Sequence, residues 1–169
     1  STPEPIFHWG RFHREAVARD PSTGTIYMTE DRSNGCFYRF IPEDRDRPFG
    51  PGTLQALCIE GVPTTHPYTP ESTQPQWPNG QRWKTTWIAI PDPQASEQTC
   101  REQGIQRGAT TFMRSEGIFP DQDGIWFIAS TGGHKKGGQI FRFSPQEQFL
   151  ELALEIDDRS LLSCPDNFC

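Results

Sequence analysis

Short runs of alternating apolar and polar residues dominate the first third of the chain. They occupy residues 15–19, 25–31, 36–42 and 54–60. Alternation with this period is typical of half-buried strands, and the DPSTG stretch at 20–24 contains the residue types that tight hairpin turns require. We therefore predict a meander of four short strands over residues 15–60.

The same pattern returns in the last third of the chain. Its strands are predicted at 115–120, 125–131, 139–145 and 150–156. The third strands of the two copies are the most alike, because FYRFIP at 37–42 and IFRFSP at 140–145 share arginine, phenylalanine and proline at equivalent positions. The chain therefore contains two repeats, which we place at 15–60 and 114–157.

Four-stranded repeats of about 40–50 residues are the signature of β-propeller blades. The sequence thus predicts an all-β fold, a partial β-propeller with about two four-stranded blades. Residues 61–113 form an insertion between the blades, and residues 163–169 begin a further blade. Because a propeller needs about 4–8 blades to close, we expect residues 1–169 to be one partial domain, a fragment completed by the remaining blades or by self-association.

The insertion combines irregular and regular stretches. Residues 61–93 are rich in proline, and KTTWIAI at 84–90 predicts a strand. The segment PDPQASEQTCREQG predicts one short helix, with Asp92 as its N-cap, Pro93 at the first helical position and Gly104 at its end. Long insertions between blades often lie over the propeller face where ligands bind.

Composition excludes several classes of function. The formal net charge is −6 and the mean hydropathy is −0.70, so we expect neither a basic nucleic-acid surface nor a membrane-spanning segment. The five cysteines form no CxxC pair, and the four histidines lack zinc-ligand spacing with them. We expect mostly buried thiols rather than a zinc site or a disulfide framework.

Two glutamates occupy equivalent positions in the repeats. Glu15 and Glu116 stand in the first strand of each repeat, and the first strands of blades line the central channel of a propeller. Carboxylates that converge there repel each other unless they share a proton or bind a cation, and oxygen ligands favour hard cations such as calcium. The alternative is that each glutamate is simply solvated.

Further polar residues stand where strands begin or end. Asp31 follows Glu30 in TEDR, and alternation sends the two side chains to opposite faces, so at most one of them faces the site. Asn167 in PDN is aligned by position with the two glutamates. Arg14, Arg32 and Arg114 lie close in sequence to these acids, and arginine suits phosphate or carboxylate recognition. Polar turns and surface ion pairs are the alternative interpretations.

Three stretches of the chain resemble the PhoX-type alkaline phosphatases. They are GRFHREAVARDPSTGTIYMTEDRSNGCFYRFIPE at 10–43, FMRSEGIFPDQDGIWFIASTGG and GQIFRFSP within 112–145, and SCPDNF at 163–168. They follow one another in the order that the family shows. The resemblance implies a β-propeller phosphomonoesterase with a central iron and calcium cluster, a small phosphate ester as substrate, and a periplasmic or extracellular location.

Carried over residue by residue, the resemblance implies Glu15 and Glu116 as metal ligands and places Asp31 and Asn167 near the cluster. In the implied reaction, the cations neutralise the phosphate during metal-assisted ester hydrolysis. No nucleophile motif such as GxSxG is present, so no catalytic side chain is assigned. Arg14 and Arg32 are the candidates for substrate binding.

Two other functions stay open. One is a calcium-dependent lactonase-like propeller hydrolase, and the other is a non-catalytic propeller module that binds calcium. Iron together with calcium favours the phosphatase, whereas calcium alone favours the lactonase. Catalytic turnover of a substrate would distinguish the phosphatase and the lactonase from the non-catalytic binding module.

Overall fold

The computed structural model describes residues 5–66 and 77–168, and antiparallel sheets make up most of this part of the chain. The strands in chain order are β1 (Arg14–Arg19), β2 (Ile26–Glu30), β3 (Gly35–Cys36), β4 (Tyr38–Pro42), β5 (Gly52–Cys58), β6 (Gln81–Lys84), β7 (Thr86–Ala89), β8 (Thr111–Phe112), β9 (Ser115–Asp121), β10 (Gly124–Ala129), β11 (Gln139–Ser144) and β12 (Phe149–Glu155). A 3₁₀ turn at Phe7–Trp9 and the helix α1 (Cys100–Ile105) accompany them.

Two five-stranded sheets correspond to the two repeats. The strand order is β1-β2-β4-β5-β7 in the first sheet and β6-β12-β11-β10-β9 in the second, while β3 and β8 form a separate two-stranded ladder. The inner edge strands β1 and β9 contact each other. The predicted fold class is confirmed, since blade-like antiparallel sheets and one short helix account for the elements in the described ranges.

Each sheet has one strand more than the sequence pattern predicts, and the insertion supplies it. Strand β7 pairs with β5 on the outer edge of the first sheet, and β6 pairs with β12 on the outer edge of the second. The strand predicted at 84–90 divides at Thr85, whose N–H donates to the carbonyl of Gln148 at 2.9 Å. Residues 67–76 of the predicted irregular stretch lie outside the described residues, and the proposed domain boundaries stay predictions.

A band of aromatic rings joins the two sheets. Phe37 stacks on Phe127 with ring centroids 4.2 Å apart, and Phe127 stacks in turn on Phe141 at 5.2 Å. Trp87, from the outer strand β7, meets Phe143 edge to face at 5.3 Å. Burying an aromatic ring of this size stabilises a fold by about 1.5–3 kcal/mol. The shared core therefore fixes the inner strands β1 and β9 next to each other.

The opposite face of the first sheet is covered by its own chain. Met28, Tyr38 and Phe40 are fully buried there and belong to one cluster with Trp9 and Cys100. The N-terminal segment and the insertion meet over this face, where the N–H of residue 11 donates to the carbonyl of residue 93 at 2.7 Å. Part of the insertion thus serves as a cover for the first blade.

The short helix exists, but its predicted start and end were wrong. Thr99, rather than Asp92, is the N-cap, and it forms a reciprocal capping box with Glu102. Asp92 accepts hydrogen bonds from the main chain of Gln94 and Ser96, which makes it the head of a turn. Aspartate is equally common as a helix N-cap and as the first residue of a turn. The local sequence therefore could not distinguish these two roles for Asp92.

Gly104 lies inside the helix rather than at its end. It is buried, and a Cβ there would lie 3.2 Å from the Cβ of Ala109 and 3.3 Å from that of Ala56. The glycine therefore permits the helix to approach the first sheet closely, which is a second reason for glycine in a helix besides termination.

Thr99→Ala is expected to lower the melting temperature of the chain by about 2–4 °C, because one side-chain cap is lost. Thr99→Ser keeps a hydroxyl that can accept from the Glu102 N–H, and should melt near the wild-type temperature. Thermal unfolding followed by circular dichroism measures both. Equal melting temperatures for the wild type and the alanine variant would show that the Thr99 cap does not contribute to the stability of the chain.

Candidate metal centre

Three carboxylates converge where β1 and β9 begin and β2 ends. Glu15 lies in β1, Asp31 directly follows β2 and Glu116 lies in β9, and each offers an oxygen within 4.8 Å of the other two. Glu15 is exposed, Asp31 is partly buried and Glu116 is only 4% exposed. The group therefore opens to solvent on the Glu15 side and is closed around Glu116.

A β-bulge at each glutamate brings this group together. Arg14 pairs with Glu30 but Val17 pairs with Met28, so Glu15 and its neighbour stand together opposite one residue of β2. The ladder between β9 and β10 slips by one residue in the same way at Glu116. A bulge bends the strand and re-aims a side chain. The two repeats thus use the same local irregularity to turn their glutamates to one place.

Arg114 neutralises part of the converging negative charge. Its guanidinium donates to both oxygens of Asp31, at 2.8 and 3.0 Å, and to Glu116 Oε1 at 3.1 Å. The Ser130 hydroxyl donates weakly to the same Glu116 oxygen at 3.3 Å. The side chain of Arg114 is 49% exposed. Arg114 forms ion pairs with Asp31 and Glu116, so it offsets only part of the negative charge of the three carboxylates, and a bound metal ion would offset more of it.

The environment moves the pKa values of two of these acids in opposite directions. Burial raises the pKa of Glu116, the negative charge of Asp31 raises it further, and Arg114 opposes both effects. The hydrogen bonds from Arg114 lower the pKa of Asp31 against the cost of its partial burial, and the nearby charge of Arg32 adds to this lowering. A neighbouring cation would therefore favour the charged form of Glu116.

Asn167 lies beside the bulge in β9. The N–H of Gly117 donates to the carbonyl of Asp166 at 2.8 Å, and a Cβ at Gly117 would lie 2.6 Å from Asn167 Oδ1. Only glycine leaves room for this close approach. The structure thus brings Asn167 next to the residue that follows Glu116, and the charge of Asp166 contributes to the raised pKa of Glu116.

The two arginines predicted to bind substrate lie in different surroundings. Arg14 donates to the carbonyls of Trp9 and Gly10, at 3.1 and 2.9 Å, and its guanidinium lies 4.8 Å from the centre of the Phe12 ring. The structure therefore does not bring its guanidinium to the three carboxylates. Arg32 is exposed and close enough to Asp31 to affect its pKa.

The sequence placed Arg114 close to the candidate acids but did not assign it to the site, and it gave no indication of Ser130. Arg114 stands two residues before Glu116, which was the available signal, but its backbone adopts a left-handed φ of 54° that no motif announces. Ser130 follows β10, and its hydroxyl reaches Glu116 only because β9 and β10 are paired.

The donor atoms fit a hard cation. Carboxylate and amide oxygens are the ligands that calcium prefers, and carboxylates also suit iron. Among the described residues, no cysteine belongs to the group. Cys36 and Cys100 are fully buried elsewhere, and burial raises the pKa of the Cys100 thiol to about 11. Cys58 is partly buried and Cys164 is exposed, so the predicted burial holds for two of the four described cysteines.

Comparisons with known proteins identify the family and a similar fold. The family model described as alkaline phosphatase PhoX matches residues 1–167. The solved structure of Pseudomonas fluorescens PhoX in complex with vanadate, a transition state analogue, is similar in fold, with a TM-score of 0.61 and 19% sequence identity. That match covers 90% of this chain and 33% of the other, so this chain spans about one third of its length. No curated protein matches this sequence. The predicted resemblance is confirmed, and the chain belongs to the PhoX alkaline phosphatase family.

Proposed function

We propose that this chain forms part of a metal-dependent alkaline phosphatase that hydrolyses phosphate monoesters. One observation carries the proposal: in a chain of the PhoX family, three carboxylates and an arginine meet at the inner ends of two blade-like sheets. The vanadate complex of the Pseudomonas protein, which shares this fold, supports an oxyanion as the ligand. Because the chain spans about one third of that protein, we propose the activity for the assembled propeller.

Glu15, Asp31 and Glu116 are the proposed metal ligands, with the side-chain oxygen of Asn167 as a further donor. Calcium suits this set of oxygens, and iron is the second proposed cation, in line with the family. A bound cation supplies charge that neutralises the phosphate and stabilises the negative charge developing during hydrolysis. The carboxylates would hold the cation where β1 and β9 begin.

Arg114 is the proposed phosphate-binding residue of this chain, together with Arg32. A guanidinium matches two phosphate oxygens in the way that Arg114 now matches the two oxygens of Asp31. When the carboxylates bind a cation, the half-exposed guanidinium is free to donate to the substrate instead. Binding of substrate by Arg14 stays a prediction.

The remaining blades of the propeller, or further copies of this chain, are the proposed structural partners. A periplasmic or extracellular location is proposed from the family. Within residues 5–66 and 77–168, no helix has the length and apolar character needed to cross a membrane.

The proposal is tested on the purified chain by metal analysis, calcium titration and vanadate binding. We expect calcium to bind, and vanadate to bind with calcium present but not after chelation. We expect little turnover of p-nitrophenyl phosphate by this chain alone, since it spans only part of the propeller, and metal-dependent turnover once the propeller is complete.

The other outcomes separate the alternatives. A chain that binds no calcium and no iron contradicts the metal centre. Calcium binding without vanadate binding favours the non-catalytic module. Calcium-dependent hydrolysis of a lactone, without phosphatase activity in the complete propeller, favours the lactonase-like enzyme.

A further inference from the structure

Thr29 lies in β2, which pairs with β1 and also contacts β9, the two strands that carry the glutamates, and it is fully buried. Its hydroxyl oxygen accepts a hydrogen bond from the N–H of Ala16 at 3.1 Å. The same hydroxyl donates to the main-chain carbonyl of Glu116 at 2.6 Å. One side chain therefore joins β1, at the residue after Glu15, to β9, at Glu116 itself.

The two bulges explain why a side chain makes these bonds. Glu15 and Ala16 stand together opposite Thr29, so the N–H of Ala16 bonds the hydroxyl rather than a carbonyl of β2. On the other side, the carbonyl of Glu116 lies in the second bulge and accepts from the same hydroxyl. Buried main-chain groups need partners, and Thr29 provides one for each bulge.

We propose that Thr29 is a positioning residue of the metal centre, whose hydroxyl sets the spacing between the carboxylates of Glu15 and Glu116. The inference rests on the proposed function, because it assigns Thr29 a role toward the same cation. Asp31 stands two residues after Thr29. The backbone positions of all three carboxylates are therefore linked to this one side chain. Both hydrogen bonds of the Thr29 hydroxyl go to main-chain atoms, so Thr29 acts on the carboxylates through the backbone.

Threonine is well suited to this role. Its β-branched side chain has few rotamers in a strand, so the hydroxyl is held in one direction without a further support. A metal site requires ligands placed within about 0.5 Å, and loss of a supporting hydrogen bond typically weakens metal binding by roughly 10–100-fold. Valine has the same shape as threonine but lacks the hydroxyl, so it cannot form the hydrogen bond to either bulge. Serine keeps the hydroxyl.

The experiment measures calcium affinity of the purified chain by titration calorimetry, at a temperature where all variants are folded. We expect Thr29→Val to weaken calcium binding by roughly 10–100-fold, and Thr29→Ser to restore most of the affinity. Circular dichroism and thermal melting monitor the fold of each variant.

Thr110 offers a matched control. It is also fully buried, and its hydroxyl likewise accepts from a main-chain N–H, that of Ile59 at 2.8 Å, and donates to a carbonyl, that of Val62 at 2.7 Å. Thr110→Val therefore removes the same two kinds of bond without touching either bulge. We expect it to lower the melting temperature and leave calcium affinity at the wild-type value.

Each outcome has a distinct meaning. If the wild type binds no calcium, the proposed function fails and the inference fails with it. If the wild type binds calcium and Thr29→Val binds it equally well, the inference alone is overturned. Equal losses of affinity in Thr29→Val and Thr110→Val also overturn it, because general destabilisation then accounts for the effect.

Discussion

Replacing Phe127 with alanine is expected to lower the free energy of unfolding by about 3–5 kcal/mol, a large share of the stability of a domain of this size. Phe127 is fully buried at the junction of the two sheets. Its ring stacks at 4.2 Å on Phe37, which directly precedes β4 of the first sheet, and lies 5.1 Å from Phe112, edge to face. The truncation leaves a cavity that neither sheet can fill without moving relative to the other.

Urea unfolding of the two variants Phe127→Ala and Phe119→Ala measures this effect. Phe119, on β9, is the same residue type, but it is 51% exposed. Its truncation should change the free energy of unfolding by about 0.5 kcal/mol or less. Similar values for both variants would show that the two sheets do not depend on a shared aromatic core.

The strands inside each repeat were accessible from the sequence because their signal is local. Alternation and turn residues mark β2, β4, β10 and β11, and their partners are neighbours in the chain. The outer strands are different, since β6 and β7 follow each other directly yet join different sheets. Their partners, β12 and β5, are distant in the chain, and Trp83 and Trp87 pack against the same core, so no local pattern separates the two strands.

The candidate site was predictable in part for a similar reason. The repeat relates Glu15 to Glu116, so their equivalence follows from the amino-acid sequence alone. The bulges could not be inferred, because each lies within the first three residues of its strand, where too few positions precede it to show a break in alternation. The ion pair between Arg114 and Asp31 joins residues from different blades, and no sequence spacing encodes it.

Replacing Glu116 with glutamine is expected to weaken calcium binding by roughly 100-fold or more, because a ligand contributes at least as much as the hydrogen bonds that support it. The substitution keeps the shape of the side chain and removes one negative charge from the group. Titration calorimetry of the purified chain measures the affinity. Glu43→Gln is the matched control, since it makes the same change at an exposed position on the turn between β4 and β5.

The stability of the same variant separates a metal ligand from a structural carboxylate. Burial and the charge of Asp31 both raise the pKa of Glu116, so its charged form is disfavoured in the metal-free fold. A neutral glutamine relieves that cost, while Arg114 keeps its two bonds to Asp31. We therefore expect the metal-free variant to melt at or above the wild-type temperature and to lose the stabilisation that calcium gives the wild type. A lower melting temperature without calcium, together with unchanged affinity, would instead make Glu116 a structural partner of Arg114.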